Sequence, residues 1–371
     1  MTRRVAFLFL GETLLIPHLY PIVEALAAVE PTLPIDLWIS TSIHERLLGR
    51  WIETLGPNAV RLRRAPGFRV LPGHDEGSNP PLPAKLPMLA RLAPRLARTP
   101  VVVCAEQTSL WLPTLLPLRS RFIKAPHGAG SLMKRDDRRR RAAWRTLVPA
   151  ERERTALAAV GIDPARIAVT GYAKAEFTHR TPAARLFTDA RPIVLYNPHW
   201  QQHRSSWWRW GAETVRRIVA SGRYNVIFAP HQRLVERAPE VAELCRELAP
   251  DPSVHCDFTS FATVDGSYAA AADVYLGDTS SQVVEFLIRP RPTVFLDALG
   301  ADWRGNPAYD MWSTGEVVTD IEQLLPVLDR APARHAGFAA RQQALAAELL
   351  GPLDGRSAAR AAAAIRAALD G

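Results

Sequence analysis

Cysteine is scarce in this chain. Cys104, Cys245 and Cys256 are the only three in 371 residues, and none shares a Cys-x-x-Cys spacing. An odd, scattered set argues against both a disulfide framework and a zinc site. Long apolar runs are also missing: nothing approaches the roughly 18–20 uninterrupted apolar residues that a membrane span needs. The opening MTRRVAFLFLGETLL places two arginines before an apolar run, as a signal peptide would. That run is only about seven residues long, Glu12 interrupts it, and no small-residue cleavage site follows. It reads instead as the first buried strand of a cytoplasmic protein. No helix-turn-helix, zinc finger or aromatic-basic RNA motif accompanies the net charge of +9, so nucleic acid is not an expected partner. No Asp-x-Asp motif follows a strand, and the His199/His203 pair lacks a HExxH glutamate and has Pro198 beside it. A metal-independent reaction without a cofactor is expected.

What is present is the composition of a globular protein, 47% hydrophobic and 22% charged. At 371 residues the chain is too long for one ordinary core, and two domains are expected. Short apolar runs recur at 4–10, 35–40, 101–105, 121–125 and 166–171, then at 192–197, 224–229, 273–277, 292–297 and 316–320. Helix-like segments separate them. Continuous rather than alternating apolar strands between helices predict parallel sheets covered on both faces. The break THRTPAARLFTDARP near 180–190 divides the two series. Expected boundaries are 1–185 and 186–350, with 351–371 as a C-terminal helix. Charge is uneven as well: KRDDRRRRAAWR at 134–145 holds seven basic and two acidic residues, a local +5. This run is either a solvated helix face or a landing patch for anionic lipid headgroups or a phosphate-rich substrate.

Ligands of open parallel sheets lie beyond the carboxyl ends of the strands, so the polar residues just after each strand matter most. Four places stand out. In KAPHGAGS, His127 is followed by Gly128, Gly130 and Ser131, leaving an imidazole at a strand tip beside a permissive backbone. His127 could act as a general base toward a hydroxyl, or be a plain loop histidine. In LYNPHWQQHRSSWW, Asn197, His199, Gln201, Gln202 and Arg204 crowd one loop, while Trp200, Trp207, Trp208 and Trp210 suggest packing. In IFAPHQRL, His231 and Arg233 follow a strand and offer either a phosphate contact or a helix cap. In YLGDTSSQVVEF, Asp278, Thr279, Ser280 and Ser281 precede a helix expected from Gln282, with Glu285 one turn further on. Hydroxyls there can cap the helix, or admit a phosphate to its positive end while Glu285 accepts from ribose hydroxyls.

Taken together, these strand ends resemble the CDP-glycerol glycerophosphotransferase family, which includes teichoic-acid primases and polymerases. The resemblance is carried by His127-Gly128, Gly171-Tyr172-Ala173-Lys174, Tyr196-Asn197-Pro198-His199-Trp200, Pro230-His231-Gln232, and Asp278-Thr279-Ser280-Ser281 with Glu285. It spans roughly residues 120–300. It implies a GT-B-like fold, two Rossmann-like doubly wound domains facing a cleft, with the acceptor served by 1–185 and the nucleotide donor bound by 186–350. It implies transfer of glycerol phosphate from CDP-glycerol to a hydroxyl on a lipid or glycan of the bacterial cell envelope, releasing CMP. Position by position, His127 and His231 would be catalytic. Gly171, Lys174, Asn197, His199, Arg233, Asp278, Thr279, Ser280, Ser281 and Glu285 would hold the donor, and Gly128, Gly130 and Ser131 would lie on the acceptor side. The enzyme would sit at the inner face of the membrane, helped by 134–145. Two alternatives share the architecture: a nucleotide-sugar glycosyltransferase or UDP-N-acetylglucosamine 2-epimerase-like enzyme, and a non-catalytic nucleotide-binding protein that docks at membranes.

Overall fold

The computed structural model describes residues 3–55, 60–77, 80, 82–129, 137–183 and 186–370. The chain divides into two compact units, Met1–His179 with Ala347–Gly371, and Arg180–Ala346. Seven strands build the sheet of the first: β1 (Val5–Phe9), β2 (Ile35–Thr41), β3 (Val60–Arg69), β4 (Val101–Cys104), β5 (Arg121–Lys124), β6 (Arg145–Val148) and β7 (Ile167–Val169). Their order is β3-β2-β1-β4-β5-β6-β7, and every pair is parallel. VAFLF and VVVC are buried at every position, as central strands covered on both faces must be.

The final helix, Ser357–Asp370, belongs to this unit. It turns Ala358, Ala361, Ala362, Ile365 and Ala368 inward at helical spacing. Arg121 Nη1 donates to the Ala368 carbonyl at 2.8 Å, and Arg3 pairs with Asp370.

The second unit holds β8 (Ile193–Asn197), β9 (Asn225–Phe228), β10 (Val254–Cys256), β11 (Val274–Gly277), β12 (Thr293–Leu296) and β13 (Glu316–Val318). The order is β10-β9-β8-β11-β12-β13, again parallel throughout. Its core gathers Val194, Tyr196, Val226, Phe228, Val274 and Leu276 from adjacent strands. Trp207 stacks on Phe228 with centroids 5.6 Å apart. Trp207–Gly211 form a π-helical turn that leads into the α-helix Ala212–Ala220. Gly211 is required there, because a Cβ would stand 2.2 Å from the Trp207 ring. The tryptophan-rich stretch therefore serves packing, with Trp200, Trp208 and Trp210 partly buried against the same core.

Three strands, β3, β6 and β10, lie outside the runs read from the sequence. β3 and β10 are sheet edges. β3 carries exposed Arg61 and Arg64 and tolerates Pro66, which only an edge permits. Both sheets share one winding. The strand order reverses between β1 and β4 in the first and between β8 and β11 in the second. Such reversals open a crevice at the carboxyl edge of a parallel sheet, where ligands bind.

Candidate functional site

In the second unit the reversal falls where the sequence is most polar. β9, β8 and β11 are neighbours, with Gly277 level with Asn197 and Tyr196 level with Phe228. Their carboxyl ends therefore bring together the loop after Asn197, the Pro230-His231 turn and the Asp278-Thr279-Ser280 turn. Gly277 allows β8 and β11 to close up, since a Cβ would meet the Asn197 carbonyl at 2.9 Å. Asn197 is buried and its amide donates to the Ala229 carbonyl, tying β8 to the start of the histidine turn.

Asp278 is 1% exposed, and both of its oxygens face the backbone of the neighbouring loop. Oδ2 accepts from His199 N at 2.8 Å and Oδ1 from Ser206 N at 3.0 Å. Its carboxylate thus holds the loop 198–206 across the crevice. Burial raises its pKa to about 7 in spite of those bonds. Beside the donor contact that the resemblance implies for Asp278, the geometry supplies a loop-holding role. Thr279 is also buried, and its hydroxyl accepts from Arg204 Nε at 3.2 Å. Arg204, a neighbour of the predicted residues, is thereby anchored beside the turn.

Ser280 occupies the N-cap position of the helix Ser281–Phe286 but makes no side-chain capping bond. Its hydroxyl lies 3.3 Å from Tyr275 OH instead. Simple capping therefore does not account for this serine. The helix starts one residue before the expected Gln282, and Glu285, half-buried, is one turn in.

The two histidines use the same device. His231 Nδ1 accepts from Arg233 N at 3.2 Å, capping the short helix Gln232–Val235, and His199 Nδ1 accepts from Gln201 N at 3.0 Å. Each neutral ring must then carry its proton on Nε2. Burial, followed by the Arg233 charge, lowers His231 to about 4. Burial, followed by Arg204, lowers His199 to about 3. Both are neutral N–H donors at physiological pH. Trp200 lies between them, 5.8 Å from the His199 ring and 6.1 Å from that of His231, with the Arg233 and Arg237 guanidiniums over its own ring. The set is one of N–H donors and cations, suited to an anion.

The first unit carries a separate group of candidates. His127 is exposed just beyond β5, and Gly128 follows it with open space where a Cβ would be. Gly130 and Ser131 lie outside the described residues. Lys174 is buried, and its charge contributes to lowering the buried His18. Gly171, at φ +86°, has its reason within the fold: a Cβ would meet Ser357 Oγ at 2.3 Å. The glycine admits the returning C-terminal segment, which accounts for it without a ligand.

Two residues of this unit went unnoticed in the sequence. Glu106 follows β4 at the reversal point, paired with Lys85, and its Oε2 has no hydrogen-bond partner. Burial raises its pKa although Lys85 opposes the shift. Gly11, just after β1, leaves room for it, because a Cβ there would stand 1.9 Å from the Glu106 carboxylate. Lys124 ends β5 with its ammonium buried. The signal available for both was a charged residue at the end of an apolar run, but only the strand order gives that position meaning.

The arginine run is partly visible. Arg138–Arg141 form one helical turn capped by Asp137, and the guanidiniums of Arg138 and Arg139 lie over the Trp111 ring at 4.9 and 5.3 Å. Residues 134–136 lie outside the described residues. Among those described, no helix is long and apolar enough to cross a membrane.

No family model matches this sequence, and no curated protein matches it. Solved structures do match. The wall teichoic acid polymerase TagF aligns with a TM-score of 0.67 at 12% identity, over 99% of this chain and 89% of that one. The UDP-N-acetylglucosamine 2-epimerase from Methanocaldococcus jannaschii aligns with a TM-score of 0.61 at 14% identity, over 98% of this chain and 99% of that one. Another UDP-N-acetylglucosamine 2-epimerase gives 0.62 at 14% identity, over 96% and 94%. At such identities the likeness is one of fold. The chain has the two-domain α/β, GT-B-like fold of these proteins.

Proposed function

We propose that the protein is a transferase that moves glycerol phosphate from CDP-glycerol to a hydroxyl acceptor on a lipid or glycan. The observation that carries this reading is the convergence of His199, His231, Arg204 and the Thr279-Ser280 turn at the strand-order reversal of the second unit. In the proposed reaction an acceptor oxygen bonds to the phosphorus that bears glycerol. The bridging P–O bond to CMP breaks, CMP departs with the bond electrons, and the hydroxyl proton passes to a base or to water. Phosphoryl transfer of this kind asks the protein mainly for positioning and charge stabilisation. Neutral imidazoles donating from Nε2, with Arg204 and Arg233, supply that to a diphosphate. Asn197, Ser281 and Glu285 complete the donor side, Glu285 serving the ribose, and Asp278 keeps the loop in place. The first unit then serves the acceptor through His127 and Gly128, and the bacterial cytoplasmic membrane face is the setting.

A UDP-sugar enzyme is the second reading, because 2-epimerases share the fold. Thr279-Ser280-Ser281, where such enzymes often have Ser-Gly-Gly, favours the phosphotransferase. Incubation with CDP-glycerol and, separately, with UDP-sugars decides between them. Release of CMP supports the proposal; release of UDP alone overturns it.

A further inference from the structure

Lys124 is an unusual residue to find where it is. It closes β5 in the middle of the first unit's sheet, level with Cys104 of β4 and Thr146 of β6, and is 6% exposed. A buried ammonium must be given acceptors. Nζ donates to the Ala125 carbonyl at 2.6 Å and lies 3.5 Å from Nδ1 of His127. An ammonium has only protons to offer, so a ring nitrogen turned toward it presents its lone pair. The ring proton of His127 is then on Nε2.

We propose that Lys124 is a positioning residue that fixes His127 in the Nε2–H tautomer, making this imidazole a hydrogen-bond donor to an anionic oxygen and not the base that removes a proton from the acceptor. His127 thereby resembles His199 and His231, whose Nδ1 atoms are each engaged by a donor. The phosphate-bearing group that receives its N–H follows from the transfer reaction proposed above; the tautomer does not depend on that reaction.

The electrostatics agree with the geometry. The Lys124 charge, ahead of partial desolvation of the ring and Arg140, lowers His127 to about 4, so the ring is neutral at physiological pH although the residue keeps an exposed edge. Burial lowers Lys124 itself to about 8, with Cys104, Glu153 and Glu106 favouring its charged form and Arg140 opposing it. His18, on the facing helix Ile16–Val29, is held neutral by burial and by Lys174. Below about pH 8, then, Lys124 is charged and the tautomer is enforced; above it the constraint relaxes.

The test is imidazole ¹⁵N NMR on the full chain, with the His127 signals assigned by a His127→Asn variant. In the unsubstituted protein at pH 7, Nε2 should be protonated and Nδ1 bare, with the Nδ1–H form growing in above about pH 8. Lys124→Met keeps the length and apolarity of the side chain and removes the charge. It should raise the His127 pKa from about 4 toward 6.5, by about one pH unit or more, and mix the tautomers. A protonated Nδ1 at pH 7 in the unsubstituted protein overturns the proposal without reference to any variant. So does a His127 titration unmoved in a folded Lys124→Met protein. Absence of CMP release would remove the transfer reading and leave the tautomer result standing.

Discussion

Replacing Asp278 with asparagine separates two effects of its buried carboxylate. The carboxylate accepts from His199 N and Ser206 N, and it does so while fully buried, with its pKa raised from 3.8 to about 7. An asparagine can accept with its oxygen, but its NH₂ meets the second backbone N–H donor to donor. At pH 5 the native side chain is the neutral acid, and losing one neutral hydrogen bond there costs about 0.5–1.5 kcal/mol. The pH dependence is the more diagnostic effect. Native Asp278 keeps a proton that the unfolded chain has released, so its contribution to stability falls as pH rises from about 4 to about 7 and then levels off. Integrating between those two pKa values, the loss from pH 5 to pH 8 is on the order of 2–3 kcal/mol. Asp278→Asn should lack that slope. Hydrogen exchange at the His199 and Ser206 amides reads the opening free energy of the loop directly. At pH 5 the variant should protect these amides less than the unsubstituted protein does, and the gap should narrow toward pH 8. A gap of equal size at both pH values would refute the reasoning.

His127→Ala and His231→Ala should each lower CMP release by about a hundredfold or more, with the melting temperature unchanged in the first and lowered slightly in the second, which also loses the cap of the helix Gln232–Val235. Near-normal turnover in either variant takes that residue out of the site. Gly171→Ala places a Cβ against Ser357 at a φ of +86° and should cost about 1–3 kcal/mol in urea unfolding, whereas Gly128→Ala, which meets open space, should be close to neutral. Neutralising Arg138 to Arg141 with glutamine should weaken binding to vesicles rich in anionic lipid by about 1 kcal/mol per arginine at low salt. Unchanged vesicle binding would dismiss the membrane role proposed for 134–145.

Much of the fold was legible because central parallel strands are apolar along their whole length. VVVC and VYLG announce themselves regardless of context. β3 did not, since an edge strand needs only part of one face covered and can alternate arginines with Leu62 and Ala65. β6 follows directly on the arginine run, and RTLV offers just three apolar-tolerant positions to notice. Within the candidate site, His199, His231 and the Asp-Thr-Ser turn were visible as polar residues after strands. Their division of labour was not. That Asp278 looks into a loop, that Ser280 leaves its cap bond unmade, and that Gly171 answers to Ser357 are facts of tertiary packing. Lys124 was hidden for the opposite reason. One lysine in RFIKA looks like the frayed end of a strand until its burial is known.

The chain leaves its first unit after His179 and comes back at Ala347 to finish it. Pruning the tail would accordingly strip Ile365 and its alanine neighbours from the earlier sheet and spare the later one altogether. Only the interior stretch, an uninterrupted span of polypeptide, lends itself to being excised and grown in isolation.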